Sequence, residues 1–182
     1  MSANIKNFTK SLNINWRDIA TFITSAFLIA ISSQISIPLP NGVPMTLQTF
    51  TVAYVGFSLP SKKGINSIIS YLLLGMIGIP VFAQGKSGIA TLFGLTGGFL
   101  FGFIFFVFCC SKVKSAKHLI TKLTLGIIGL LLCHLFGVLQ YSILTGINII
   151  KASMLVSVPF LIKDVLSVLL AFMLSEKLKL DF

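Results

Sequence analysis

Acidic residues are nearly missing from this chain. Four Asp and Glu stand against fourteen Lys and Arg in 182 residues, and charged residues of both signs reach only 10%. A soluble domain carries about 25% charged residues, so a surface turned mainly to water is excluded. No G-x-x-x-x-G-K-[ST] loop occurs, which excludes a P-loop ATPase within these residues. No H-E-x-x-H occurs either, and that removes the commonest helical zinc-hydrolase arrangement. The cysteines, Cys109, Cys110 and Cys133, fall within or at the end of apolar segments. Their spacing fits neither a disulfide framework nor a zinc site, and they read as small packing residues. No metal and no cofactor is expected.

What is abundant is apolar. Hydrophobic residues make up 55% of the chain, the mean hydropathy is +1.00, and seventeen residues are phenylalanine. This is the composition of an integral membrane protein. At about 20 residues per crossing, the length suits six helices in one all-α transmembrane domain over 1–182. The expected helices are 17–37, 46–59, 65–79, 90–110, 123–143 and 158–176. The run beginning at Ile19 exceeds a signal-peptide core and no A-x-A site follows, so it reads as a retained first helix. Met154, Leu155 and Val156 read as an interfacial loop, with the last helix opening at Val158-Pro159.

The net charge of +10 does not point to nucleic acid, because the basic residues sit in short loops and not on one stripe. One set of loops and ends holds Lys6, Lys10, Arg17, Lys62, Lys63, Lys112, Lys114, Lys117, Lys122, Lys177 and Lys179; the other holds only Lys86 and Lys151. Such a bias places both termini in the cytoplasm and requires an even number of spans. The irregular segments 38–45 and 82–88 and the start of the last helix then meet at the outer face.

Lys163-Asp164 breaks an apolar stretch, between 154–162 and 165–174. An ionisable group at membrane depth costs roughly 2.5–3.5 kcal/mol on insertion scales, so the pair marks a candidate polar site. Four outer-face segments surround it in sequence order: V-P-M-T-L-Q-T from Val43, G-I-P-V-F-A from Gly78, G-L-T-G-G-F from Gly94 and P-F-L-I-K-D from Pro159. Together they resemble the biotin-specific substrate-binding component of energy-coupling-factor transporters, the BioY family. That pattern runs V-P-[IM]-T-L-Q-T, G-x-P-V-F-A, G-P-T-G-G-[YF] and P-F-x-P-x-D-x-x-K. Leu95 and Ile162 replace prolines of the pattern, and Ser167 stands where it has lysine.

The resemblance implies uptake of biotin into a bacterium, with no catalysis by this chain. Its partners would be a transmembrane coupling protein and cytoplasmic ATPases, which use the ATP. Biotin presents a ureido ring, an apolar thioether ring and a carboxylate tail. Asp164 would accept from ureido N–H, and Lys163 would take the role of the missing lysine, the alternatives being a shifted ligand pose or a lysine supplied by Lys86. Gln48 and Gln84 can donate and accept, Phe82 and Phe99 would wall the apolar ring, and Lys86 would reach the tail. Thr46, Thr96 and Gly97 complete the matched positions. Ala26 and Ala30 form a small-xxx-small pair on the first helix, which the resemblance assigns to docking on the coupling protein. Two other readings stay open: the same kind of component for another small vitamin, and an intramembrane enzyme using Cys133 and His134. By itself His134 reads as a packing residue.

Overall fold

The computed structural model describes residues 15–115 and 118–178. Lys6, Lys10, Lys117 and Lys179 of the charge map lie outside them. The first helix, α1 (Trp16–Gln34), opens where the Asn15 side chain accepts from the Arg17 N–H, with Asp18 in the first turn. A negative charge there complements the helix N-terminus. It stops before the expected 37 because Ser36–Ile37 (β1) pairs antiparallel with Met45–Thr46 (β2), Ser36 opposite Thr46. Between the strands Pro38 and Pro40, which carry no N–H, prevent helix from continuing.

Next come α2 (Gln48–Ser58) and α3 (Ser61–Met76). The latter starts four residues before the expected 65, directly after Pro60, so Lys62 and Lys63 belong to a helical first turn and not to a loop. The expected helix 90–110 is two pieces, α4 (Ile89–Leu92) and α5 (Gly97–Ser111). Gln140 explains the break: its Nε2 donates to the carbonyls of Leu92 (3.1 Å) and Gly94 (2.7 Å), both freed where the helix ends. A side chain at Gly97 would collide with the Leu92 carbonyl.

Helix α6 (Leu119–Thr145) ends at Gly146 in the left-handed conformation, φ +71°. The expected loop at Met154–Val156 is instead the close of α7 (Ile149–Val156), capped by Asn148, whose Oδ1 accepts from Lys151 N at 2.8 Å. Ala152 and Val156, four residues apart, are both fully buried and bind this short helix to Val138, Tyr141 and Phe160. The last helix, α8 (Val158–Leu178), begins where the proline predicted, with Asp164 in its second turn.

Three side-chain links fix the directions. Lys63 pairs with Asp18 at 2.9 Å, joining the starts of α1 and α3. Ser61 and Ser111 share a 2.7 Å hydrogen bond, bringing the end of α5 to the start of α3. Lys122 pairs with Glu176 at 3.1 Å, joining the start of α6 to the end of α8. Among the described residues, α1, α2, α3, α5, α6 and α8 therefore alternate up and down, and β1, β2 and α7 gather at the far end. Glycines set the closest contact: side chains at Gly98 and Gly102 of α5 would meet the α6 backbone at Phe136 and Cys133.

The outside of the bundle is as apolar as its core. Phe27, Leu131, Leu170 and Met173 are each at least half exposed, which water would penalise and lipid does not. Helices α6 and α8 are long and apolar enough to cross a bilayer, and Gly97–Ser111 is a shorter apolar helix. Ala26 points the other way. It is fully buried within the chain, and Ala30 packs half-buried against the same core. Of the pair expected to form a docking surface, Ala26 leaves no free face, while Ala30 stays partly exposed.

Candidate functional site

A cavity of about 700 Å³, its open mouth included, lies at the hairpin end of the bundle. Of the positions expected at a site, Thr46, Gln48, Phe82, Lys86, Thr96, Phe99, Lys163 and Asp164 line it. Two expected residues do not. Gln84 is exposed on a left-handed turn (φ +62°) outside the lining, and Gly97 serves the close contact between α4 and α5 described above.

The apolar walls are rigid because each aromatic ring rests on a glycine. The Phe82 ring covers Gly75 and meets Tyr71 edge-on at 5.5 Å. The Phe99 ring covers Gly137 and meets the His134 ring edge-on at 5.8 Å. A polar relay holds the other side: Gln48 Nε2 donates to the Tyr71 hydroxyl (2.7 Å), which donates to the Val81 carbonyl (3.1 Å). Gln34, absent from the sequence reading, pins the loop at the mouth. Its Nε2 donates to the Phe82 carbonyl at 3.0 Å and its Oε1 accepts from the Gly85 N–H at 2.9 Å.

Asp164 is the polar centre, only 3% exposed. Lys163 forms an ion pair with its Oδ1, and the same ammonium donates to the Thr46 carbonyl at 2.8 Å. Oδ1 is buried against that ammonium, and Thr49 stands beside the carboxylate on the cavity wall. Asp164 Oδ2 lies 3.2 Å from His134 Nε2. His134 was read from sequence as packing; the structure places its ring against Asp164, as a third polar member of the cluster. A signal beside it is Gly137, one turn later on the same helix, which seats the Phe99 ring of the cavity wall. Ser167 is buried and not part of the lining.

A buried charge cluster on the wall of an apolar cavity, in a bundle with an apolar exterior, is built to hold a small polar solute. Cys133, the proposed nucleophile of the enzymatic reading, donates its thiol to the Phe99 carbonyl at 3.5 Å and has no hydrogen bond to His134 among the described residues. The chain belongs to the BioY family, whose model matches residues 4–181, and members of that family are transporter components. It is 37% identical over 153 residues to the biotin transporter BioY of Thermotoga maritima, covering 84% of this chain and 89% of that one. The probable biotin transporter BioY of Pyrococcus horikoshii is 35% identical over 152 residues, 84% of this chain and 90% of the relative. The crystal structure of the S-component for biotin from an ECF-type ABC transporter has the same fold, with a TM-score of 0.78 at 24% identity over 91% of this chain and 93% of that one.

Proposed function

We propose that this chain captures biotin at the outer face of a bacterial plasma membrane, as the substrate-binding component of an energy-coupling-factor transporter. The observation that carries the reading is the Lys163–Asp164 pair on the wall of an otherwise apolar cavity. A buried carboxylate on the cavity wall suits a ureido N–H as acceptor, and charge assistance strengthens that bond. Phe82 and Phe99 hold the thioether ring. Lys86, exposed at the mouth, takes the tail carboxylate. The named relatives support the same ligand.

The six alternating helices cross the membrane, both termini are cytoplasmic, and the hairpin end faces outward. The Lys63, Lys122 and Lys177 end then lies on the side that retains basic residues. Movement of ligand inward uses a transmembrane coupling protein and cytoplasmic ATPases, whose ATP hydrolysis reorients this subunit. The chain needs no cofactor of its own.

Ser167, in place of a lysine, favours keeping one second reading: a component for another vitamin. Thermal unfolding of the purified protein with biotin, riboflavin or thiamin separates the two. At a hundredfold excess over Kd a ligand stabilises by about 2.7 kcal/mol, a clear shift. Stabilisation by riboflavin or thiamin, with none by biotin, sinks the biotin assignment.

A further inference from the structure

His134 is 95% covered, since only 5% of it is exposed, and it lines the cavity. One ring nitrogen, Nε2, faces Asp164 Oδ2 at 3.2 Å; the other, Nδ1, is buried with no hydrogen-bond partner among the described residues. Buried polar atoms are nearly always satisfied, so an orphan on a cavity wall marks a place where a bound molecule supplies the partner.

The neighbouring charges decide what Nδ1 offers. Asp164 faces the Lys163 ammonium through its other oxygen, so the carboxylate is the acceptor and Nε2 carries the ring proton. Nδ1 then holds a bare lone pair. The wall therefore presents a buried acceptor without a partner among the described residues, Nδ1 of His134, beside Oδ1 of Asp164, which is paired with the Lys163 ammonium and keeps a second lone pair.

The geometry points to His134 as a ligand-contacting residue that sets specificity: its Nδ1 accepts one N–H of a cyclic urea while Asp164 Oδ1 accepts the other. This rests on the biotin reading above and deepens it. Two acceptors match the two ureido N–H donors. A ring that carries an N-substituent or an ether oxygen at either position leaves one acceptor unpaired and is rejected. The arrangement is tied to this chain, because a lysine at position 167 would share the Asp164 face of α8. Here that position is serine, and the contact to Oδ2 comes across from α6.

Two substitutions separate ligand contact from simple support of Asp164. His134→Asn puts an amide oxygen near the Nδ1 position and gives up the Asp164 contact. His134→Gln puts an amide nitrogen near the Nε2 position, keeps the Asp164 contact and gives up Nδ1. Calorimetry with biotin should show His134→Gln weakened about ten- to a hundredfold, and His134→Asn by less. The reverse order, or wild-type affinity in both, overturns the proposal and leaves His134 as a positioning or packing residue. Should both variants fail to fold, the wild-type chain gives the answer. It has two histidines, so ¹⁵N-histidine spectra in nanodiscs resolve the Nδ1 of His134. Its resonance should move from a bare to a hydrogen-bonded nitrogen on adding biotin; an unmoved resonance with biotin bound overturns the assignment. Failure of the wild-type chain to bind biotin at all is the separate result that removes the functional reading, and this inference with it.

Discussion

The Lys163 ammonium donates to the Thr46 carbonyl at 2.8 Å, linking two residues 117 positions apart. One end of this contact is the charge pair at the start of α8; the other is strand β2 of the hairpin beside the cavity mouth. Since the same ammonium pairs with Asp164, a ligand that draws on Asp164 also acts on the group that holds the hairpin. The charge pair and the anchor of the hairpin thus share a single side chain.

The charge pair carries the first prediction. Asp164→Asn removes a charge-assisted hydrogen bond worth roughly 1.5–3 kcal/mol, or about ten- to a hundredfold in biotin affinity. Lys163→Ala should cost a comparable factor, because it strips Asp164 of its ion pair and frees the Thr46 carbonyl. The two effects share partners, so the double variant should be less than additive. Calorimetry on folded, detergent-solubilised proteins reads all three. Full affinity in Asp164→Asn would falsify the placement of ligand at this pair.

Helix existence was legible in the sequence because lipid demands long apolar runs, and the pairing of charge with depth singled out Lys163 and Asp164. What escaped was everything that depends on contact between distant segments. The hairpin β1–β2 is four residues of strand, too short for any alternation to register. Met154–Val156 looked like a loop because the helix-forming capacity of α7 comes from Asn148 before it and from burial of Ala152 and Val156 against other segments. The break between α4 and α5 is set by Gln140, which lies 46 and 48 residues beyond the carbonyls it binds. His134 and Gln34 look ordinary in one dimension, since each owes its role to a partner on another helix or loop.

Glycine positions supply a second prediction, through contrast. A methyl group at Gly97 would strike the Leu92 carbonyl, whereas Gly85 has open space around it but a φ of +69°. Gly85→Ala should lower stability by about 1 kcal/mol, the left-handed penalty alone. Gly97→Ala should cost about 1–3 kcal/mol through overpacking and loss of the Gln140 contacts. Thermal melts in one detergent compare them. Equal shifts would mean that the α4–α5 break relaxes without effort.

Topology is open to a direct check. Single cysteines replacing Lys62 and Lys86, in a background without the native cysteines, should label from opposite sides of intact cells. Position 86, at the cavity mouth, should react with an impermeant maleimide added outside. Position 62, beside the Asp18–Lys63 pair, should react only after permeabilisation. External labelling at 62 would invert the proposed orientation and close the entry route.

The hairpin loop gives the last prediction, a kinetic one. Tyr141, buried on α6, donates its hydroxyl to the Asn41 carbonyl at 3.1 Å, and Asn41 Nδ2 donates to the Leu155 carbonyl at 2.7 Å. These two bonds fasten the loop between β1 and β2 onto α6 and α7. Neither Tyr141 nor Asn41 lines the cavity, so neither should alter the ligand's own contacts. If the loop must lift for biotin to leave, weakening its anchor lowers the barrier to release. A neutral hydrogen bond contributes about 0.5–1.5 kcal/mol, so Tyr141→Phe should speed dissociation by roughly two- to tenfold. Association, limited by encounter and orientation, should change much less. A chase of bound radiolabelled biotin with excess unlabelled biotin measures the release rate directly. Asn41→Ala, which removes the second anchor, should act in the same direction. An unchanged release rate in both variants, alongside a lowered melting temperature, would show that the loop is a fixed part of the fold and that ligand leaves by another path.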